Sequence, residues 1–129
     1  MLSAETLDDL RLAAQAAVDK KAFHVVGLEV SQLTSYSDFF LLCSAASERQ
    51  VGAIVQSIEE RLRTNDRRPL HLEGESRAEW VLLDYGDFIV HVFTEEKRAY
   101  YALDSLWGDA RRLDDTSLGL FDEPTQGSR

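Results

Sequence analysis

Apolar positions along this chain follow two different rhythms. Leu7, Leu10, Ala14, Ala17 and Val18 recur at three- and four-residue steps behind the capping candidates Ser3 and Thr6, which predicts an amphipathic first helix ending near Lys20. From Phe23 to Val30 and from Asp38 to Ser44 the helical period disappears and β-branched and aromatic residues concentrate, with Phe39, Phe40, Leu41, Leu42 and Cys43 uninterrupted. These segments read as two strands joined by a polar turn over Leu33 to Ser37. Ser47 followed by Gln50 matches a capping box, and Val51, Ile54, Val55, Ile58 and Leu62 form the apolar stripe of a second helix. That helix should end near Asn65, which tolerates a left-handed cap, with Pro69 blocking continuation. A short extended piece over Leu70 to Glu73, a polar connection from Gly74 to Glu79, and the paired runs Trp80 to Tyr85 and Phe88 to Phe93 follow. A last helical stretch is expected over Glu95 to Trp107, and a frayed acidic tail beyond Leu113.

The two paired runs predict a hairpin about Gly86 whose parity matters. A turn with two central residues, Tyr85 and Gly86 or Gly86 and Asp87, pairs even positions of the first strand with odd positions of the second. One face then carries Val81, Leu83, Tyr85, Phe88, Val90 and Val92, almost purely apolar and suited to lie beneath helices. The other carries Trp80, Leu82, Asp84, Ile89, His91 and Phe93, where a carboxylate and an imidazole sit among large apolar groups. A dry core would not choose that mixture, so this face is expected to be exposed for docking.

Composition narrows the class of function. At 129 residues the chain has room for one domain, and 44% hydrophobic with 29% charged residues are ordinary globular values. No window approaches the roughly 18 uncharged apolar residues of a membrane span, and Met1 leads into Ser3, Glu5, Asp8 and Asp9 instead of a basic and apolar leader. A cytoplasmic protein is expected. The single cysteine, Cys43, excludes an internal disulfide and a multi-thiolate zinc site. With 14 basic against 23 acidic residues the net charge is −9, which disfavours direct nucleic-acid binding and favours a basic protein partner.

Candidate chemistry remains sparse. Asp84 and Asp87, three apart around Gly86, suit either a divalent metal for nucleotidyl or phosphoryl transfer or a plain turn, and Asp38, the nearest third carboxylate, opens another strand. No glycine-rich phosphate loop accompanies them. His91 reads as a general base or as a hydrogen-bonded structural or interface histidine, with no nucleophile motif beside it. Arg61, Arg63, Arg67 and Arg68 cluster where a helix dipole favours cations and where a phosphate could be gripped. Cys43 sits in an apolar run that shields its thiol. Trp107, with Tyr100, Tyr101 and Leu106, suits a partner patch or the seat of the last helix.

Between Ser37 and Ala110 the segments SDFFLLCSAASERQVGAI, HLEGE, EWVLLDYGDFIVHVF and RAYYALDSLWGDA resemble the bacterial ribosomal silencing factor family, also called the Iojap family. The resemblance implies an α/β domain of α+β-like arrangement: a mixed sheet packed by helices, nucleotidyltransferase-like in shape but without that activity, and often a homodimer. It implies a silencing-factor domain over residues 1–112, while the flexible acidic tail over 113–129 is read from composition and is longer than the family pattern requires. It also implies binding to the large ribosomal subunit through the basic ribosomal protein numbered fourteen, blocking association with the small subunit and repressing translation when nutrients are short. Its interaction surface maps to Trp80, Leu82, Asp84, His91 and Phe93, flanked by Arg98 and Tyr101. No cofactor or resident metal is implied. The alternative is a metal-dependent nucleotidyltransferase-like enzyme using Asp84 and Asp87.

Overall fold

The computed structural model describes residues 4–74, 79–101, 108–113 and 118–120. In chain order these form α1 (Ala4–Asp19), β1 (Phe23–Glu29), β2 (Phe39–Ala45), α2 (Glu48–Arg63), β3 (His71–Glu73), β4 (Trp80–Asp84), β5 (Phe88–Thr94), α3 (Glu95–Tyr101) and β6 (Arg111–Leu113). The strands build one mixed sheet in the order β3-β4-β5-β2-β1-β6, antiparallel throughout except where β2 and β5 run parallel at its centre. Every residue of β2 is buried, which accounts for its unbroken apolar run: a central strand covered on both faces has no use for alternation. The α/β expectation of a mixed sheet packed by helices holds.

Helices α1 and α2 lie on one face. Beneath them Phe39, Leu41, Cys43, Val81, Leu83, Phe88, Val90 and Val92 merge with Leu10, Ala13, Ala14, Ala17, Ile54 and Ile58 into the main core. The alanines of α1 let α2 approach closely enough for the Ser57 hydroxyl to donate to the Ala16 carbonyl at 2.9 Å. Val18, expected on the buried stripe, is 42% exposed, and Thr6 is not a cap but sits inside the first turn with its side chain bound elsewhere. At the start of α2 the Ser47 hydroxyl accepts from Gln50 N, while Gln50 Oε1 accepts from Ala46 N, a capping box displaced by one residue. The left-handed residue after α2 is Asp66 (φ 61°), not Asn65.

The hairpin turn closes by Tyr85 N donating to Phe88 O, so Gly86 and Asp87 are its central residues, and Gly86 takes the positive φ of 92° that a primed turn requires. Trp80 pairs with Phe93, Leu82 with His91 and Asp84 with Ile89, the expected parity.

Of the segment from 113 onward, expected to be a tail, Leu113 and residues 118–120 are described. Arg111–Leu113 pairs with β1, and Leu118 is fully buried against Gly27, where any β-carbon would come within 3.1 Å of Leu118 Cδ2. A strand of three residues followed by a lone plugging leucine carries no periodicity, so composition alone reads as fray. The last helix is described only to Tyr101; its expected continuation over 102–107, including Leu106 and Trp107, lies outside the described residues.

Candidate functional site

The sheet face opposite α1 and α2 divides into a covered half and a surface half. Toward β1, Val26, Leu28, Val30, Phe40, Leu42, Phe93 and Ala110 form a second apolar cluster. Toward the β3 edge, Trp80, Leu82, Asp84 and Ile89 remain half-buried. The accessible part of this face is therefore narrower than the strand parity alone suggests. His91 is 6% exposed and Phe93 fully buried, because β5 lies next to β2 well inside the sheet and its side chains are roofed by neighbours.

His91 is held by aromatic rings. Phe40 meets it edge-on at 5.0 Å between centroids, and Phe93 stacks at 6.3 Å. The Trp80 indole donates from Nε1 to His91 Nδ1 at 3.2 Å, so Nδ1 is the acceptor and the proton of the neutral ring resides on Nε2. Burial pushes the His91 pKa down to about 4, fixing the neutral form. Nε2 is itself buried and has no hydrogen-bond partner among the described residues. A cleft of about 230 Å³ beside this pair is lined by Glu73, Gly74, Trp80 and Leu82.

Arg98 stands at the base of the covered half, not on the surface. It is 8% exposed, donates to the His24 carbonyl and to Ser44 Oγ, and lies over the Phe93 ring. Its place follows from β1: a register shift between Phe23 and Val26 and a left-handed His24 (φ 49°) turn that carbonyl away from the ladder, and the guanidinium satisfies it. Tyr101 closes α3, and its side chain is outside the described residues.

The two aspartates of the metal reading are engaged separately. Asp84 Oδ1 accepts from Gly86 N at 2.8 Å, a turn-forming bond. Asp87 accepts from Thr6 Oγ1 at 2.7 Å and from Arg67 at 2.7 Å, while Arg67 also reaches Asp9 at 2.6 Å and stacks over Tyr85 and Phe88. Burial raises the Asp87 pKa, but the hydrogen bonds from Arg67 and Thr6 outweigh it and leave the carboxyl below its ordinary value. Among the described residues no group of three or more histidine, cysteine or acidic side chains could hold a metal. The arginines do not converge on a phosphate either: Arg61, Arg67 and Arg68 face Asp19, Asp9 with Asp87, and Asp66 respectively. Cys43 is fully buried, and burial pushes its thiol up to about 12, so it is inert. The Asp9–Arg67–Asp87 cluster was not anticipated; an acidic residue on the buried side of α1, one turn from Thr6, was its only trace in the sequence.

Comparison with known proteins decides the family. A family model described as ribosomal silencing factor during starvation matches residues 3–129. The chain belongs to the ribosomal silencing factor family. It is 46% identical over 101 residues to the ribosomal silencing factor RsfS of Halalkalibacterium halodurans, covering 78% of this chain and 86% of that one. To the Bacillus subtilis RsfS it is 40% identical over 111 residues, covering 86% and 93%. The chloroplastic protein Iojap of Zea mays is 30% identical over 118 residues, 86% of this chain and 48% of the maize protein. Among solved structures, a Bacillus halodurans protein aligns with a TM-score of 0.73 at 39% identity, covering 87% of this chain and 99% of that one. A Chromobacterium violaceum protein aligns at 0.76 and 33% identity, covering 83% and 88%. The family thus carries a role in translation regulation and ribosome association. Among the described residues no helix is long and apolar enough to cross a membrane.

Proposed function

We propose that this silencing factor acts without catalysis, in the cytoplasm, by seating its half-open sheet face on the basic protein numbered fourteen of the large ribosomal subunit. Occupancy there blocks the small subunit from joining and lowers translation under nutrient limitation. The observation that carries this reading is the contrast within one sheet face. Phe93, Phe40 and Leu42 are sealed, whereas Trp80, Leu82, Asp84 and Ile89 still reach the surface toward the β3 edge of a chain with net charge −9. Large side chains at the centre supply desolvated area, and Asp84 pairs with a lysine or arginine of the partner. His91 and Phe93 form the floor of this surface, Arg98 anchors it from below, and Tyr101 flanks it. The same face is available for a homodimer off the ribosome.

The test is a subunit-joining assay read by light scattering. Large subunits preincubated with the protein should form fewer complete ribosomes when small subunits are added, and Trp80→Ala should restore joining. Undiminished joining at saturating wild-type protein overturns the reading.

A further inference from the structure

The orphaned ring nitrogen of His91 points to a division of labour on the proposed docking face, on which this inference rests. Trp80 is the large anchor of that face, and a free indole has rotamers to lose on binding. Here the indole is fixed on two sides: Nε1 donates to His91 Nδ1 at 3.2 Å, and its ring lies tilted against Phe93 at 5.7 Å. His91 is in turn clamped by Phe40 and Phe93 and cannot swing away. Holding Nδ1 as acceptor forces the remaining proton onto Nε2, which is buried with no partner among the described residues. An unsatisfied buried donor destabilises a fold. A leucine or phenylalanine among the same neighbours would carry no such penalty.

We propose that His91 is a positioning residue: it accepts from the Trp80 indole to pre-set the docking anchor, and the fold tolerates an orphaned Nε2–H for that purpose. The histidine itself stays beneath the surface and touches no partner. Pre-organising an aromatic anchor strengthens association by removing the ordering loss of one side chain, about 0.5 to 1.5 kcal/mol, or roughly two- to tenfold in affinity.

The test compares His91→Leu with His91→Asn, because the asparagine Oδ1 can stand where Nδ1 stands and leucine offers no acceptor. Three quantities are read: thermal stability, hydrogen exchange of the Trp80 indole N–H (the cross-peak lost in Trp80→Phe), and co-sedimentation with isolated large ribosomal subunits. His91→Leu should melt at or above the wild-type temperature, exchange its Trp80 indole proton faster, and bind roughly two- to tenfold more weakly. His91→Asn should recover indole protection and binding. A His91→Leu that binds like wild type, or that loses stability and binding together with indole exchange unchanged, overturns the proposal. Wild-type protein that has a protected indole released by His91→Leu but does not sediment with large subunits keeps the lock and removes the ribosomal reading instead.

Discussion

Arg67 and Asp87 bind the hairpin turn to the helical layer: guanidinium Nη2 lies 2.7 Å from Asp87 Oδ1, and Nη1 of the same group lies 2.6 Å from Asp9 on α1. One cation thus ties β4, β5 and α1 together, with Thr6 donating to the second oxygen of Asp87. Arg67→Met should lose about 2 to 3 kcal/mol in urea denaturation, because it leaves two partly desolvated carboxylates facing each other's charge. Asp87→Asn in the Arg67→Met background should cost little more, since the pair is already broken. The Asp87 carboxyl titrates below its ordinary value in the folded state, so the contribution is present above the unfolded value and is lost as pH falls through the folded one.

The parts of the fold that sequence makes legible are those where burial imposes a period. The α2 stripe from Val51 to Leu62 and the alternation Val81, Leu83 against Val90, Val92 are read directly, because each residue's face is set by its position in a regular element. The tie from Thr6 and Asp9 to Asp87 spans about 80 residues of chain, and no local pattern encodes which aspartate a lone arginine will meet. The same limit applies to His91 and Phe93. Strand parity places them on the correct face, but what roofs that face depends on the position of β5 within the sheet and on Arg98 meeting a bulged carbonyl. Leu118 escapes for a third reason, since one plugging residue has no period to detect.

Acid should weaken the fold through His91. Its folded pKa of about 4 lies below the ordinary value, so protons favour the unfolded chain. The stability it supports is complete above pH ~6.5 and is lost progressively as pH falls toward about 4, in total on the order of 3 kcal/mol. Urea denaturation across this window should show that slope in the wild type, and His91→Leu should flatten it.

The two faces of the hairpin should respond oppositely to charge. Asp84→Lys removes one bond to Gly86 N and should cost about 1 kcal/mol of stability, yet weaken large-subunit binding by tenfold or more by setting a cation against a basic partner. Val90→Asp, at a fully buried position under α1 and α2, should leave no folded protein by circular dichroism. Equal stability of the two variants would contradict the face assignment.

Co-sedimentation with separated ribosomal subunits at about 150 mM salt tests the docking reading most directly, because an acidic chain has little affinity of its own for phosphates under those conditions. The expected result is pelleting of the wild-type protein with large subunits, none with small subunits or with protein-free ribosomal RNA, and a marked loss for Trp80→Ala under conditions where circular dichroism shows that variant folded. Equal pelleting with small subunits or naked RNA, or wild-type binding by Trp80→Ala, would contradict a protein-directed surface centred on Trp80.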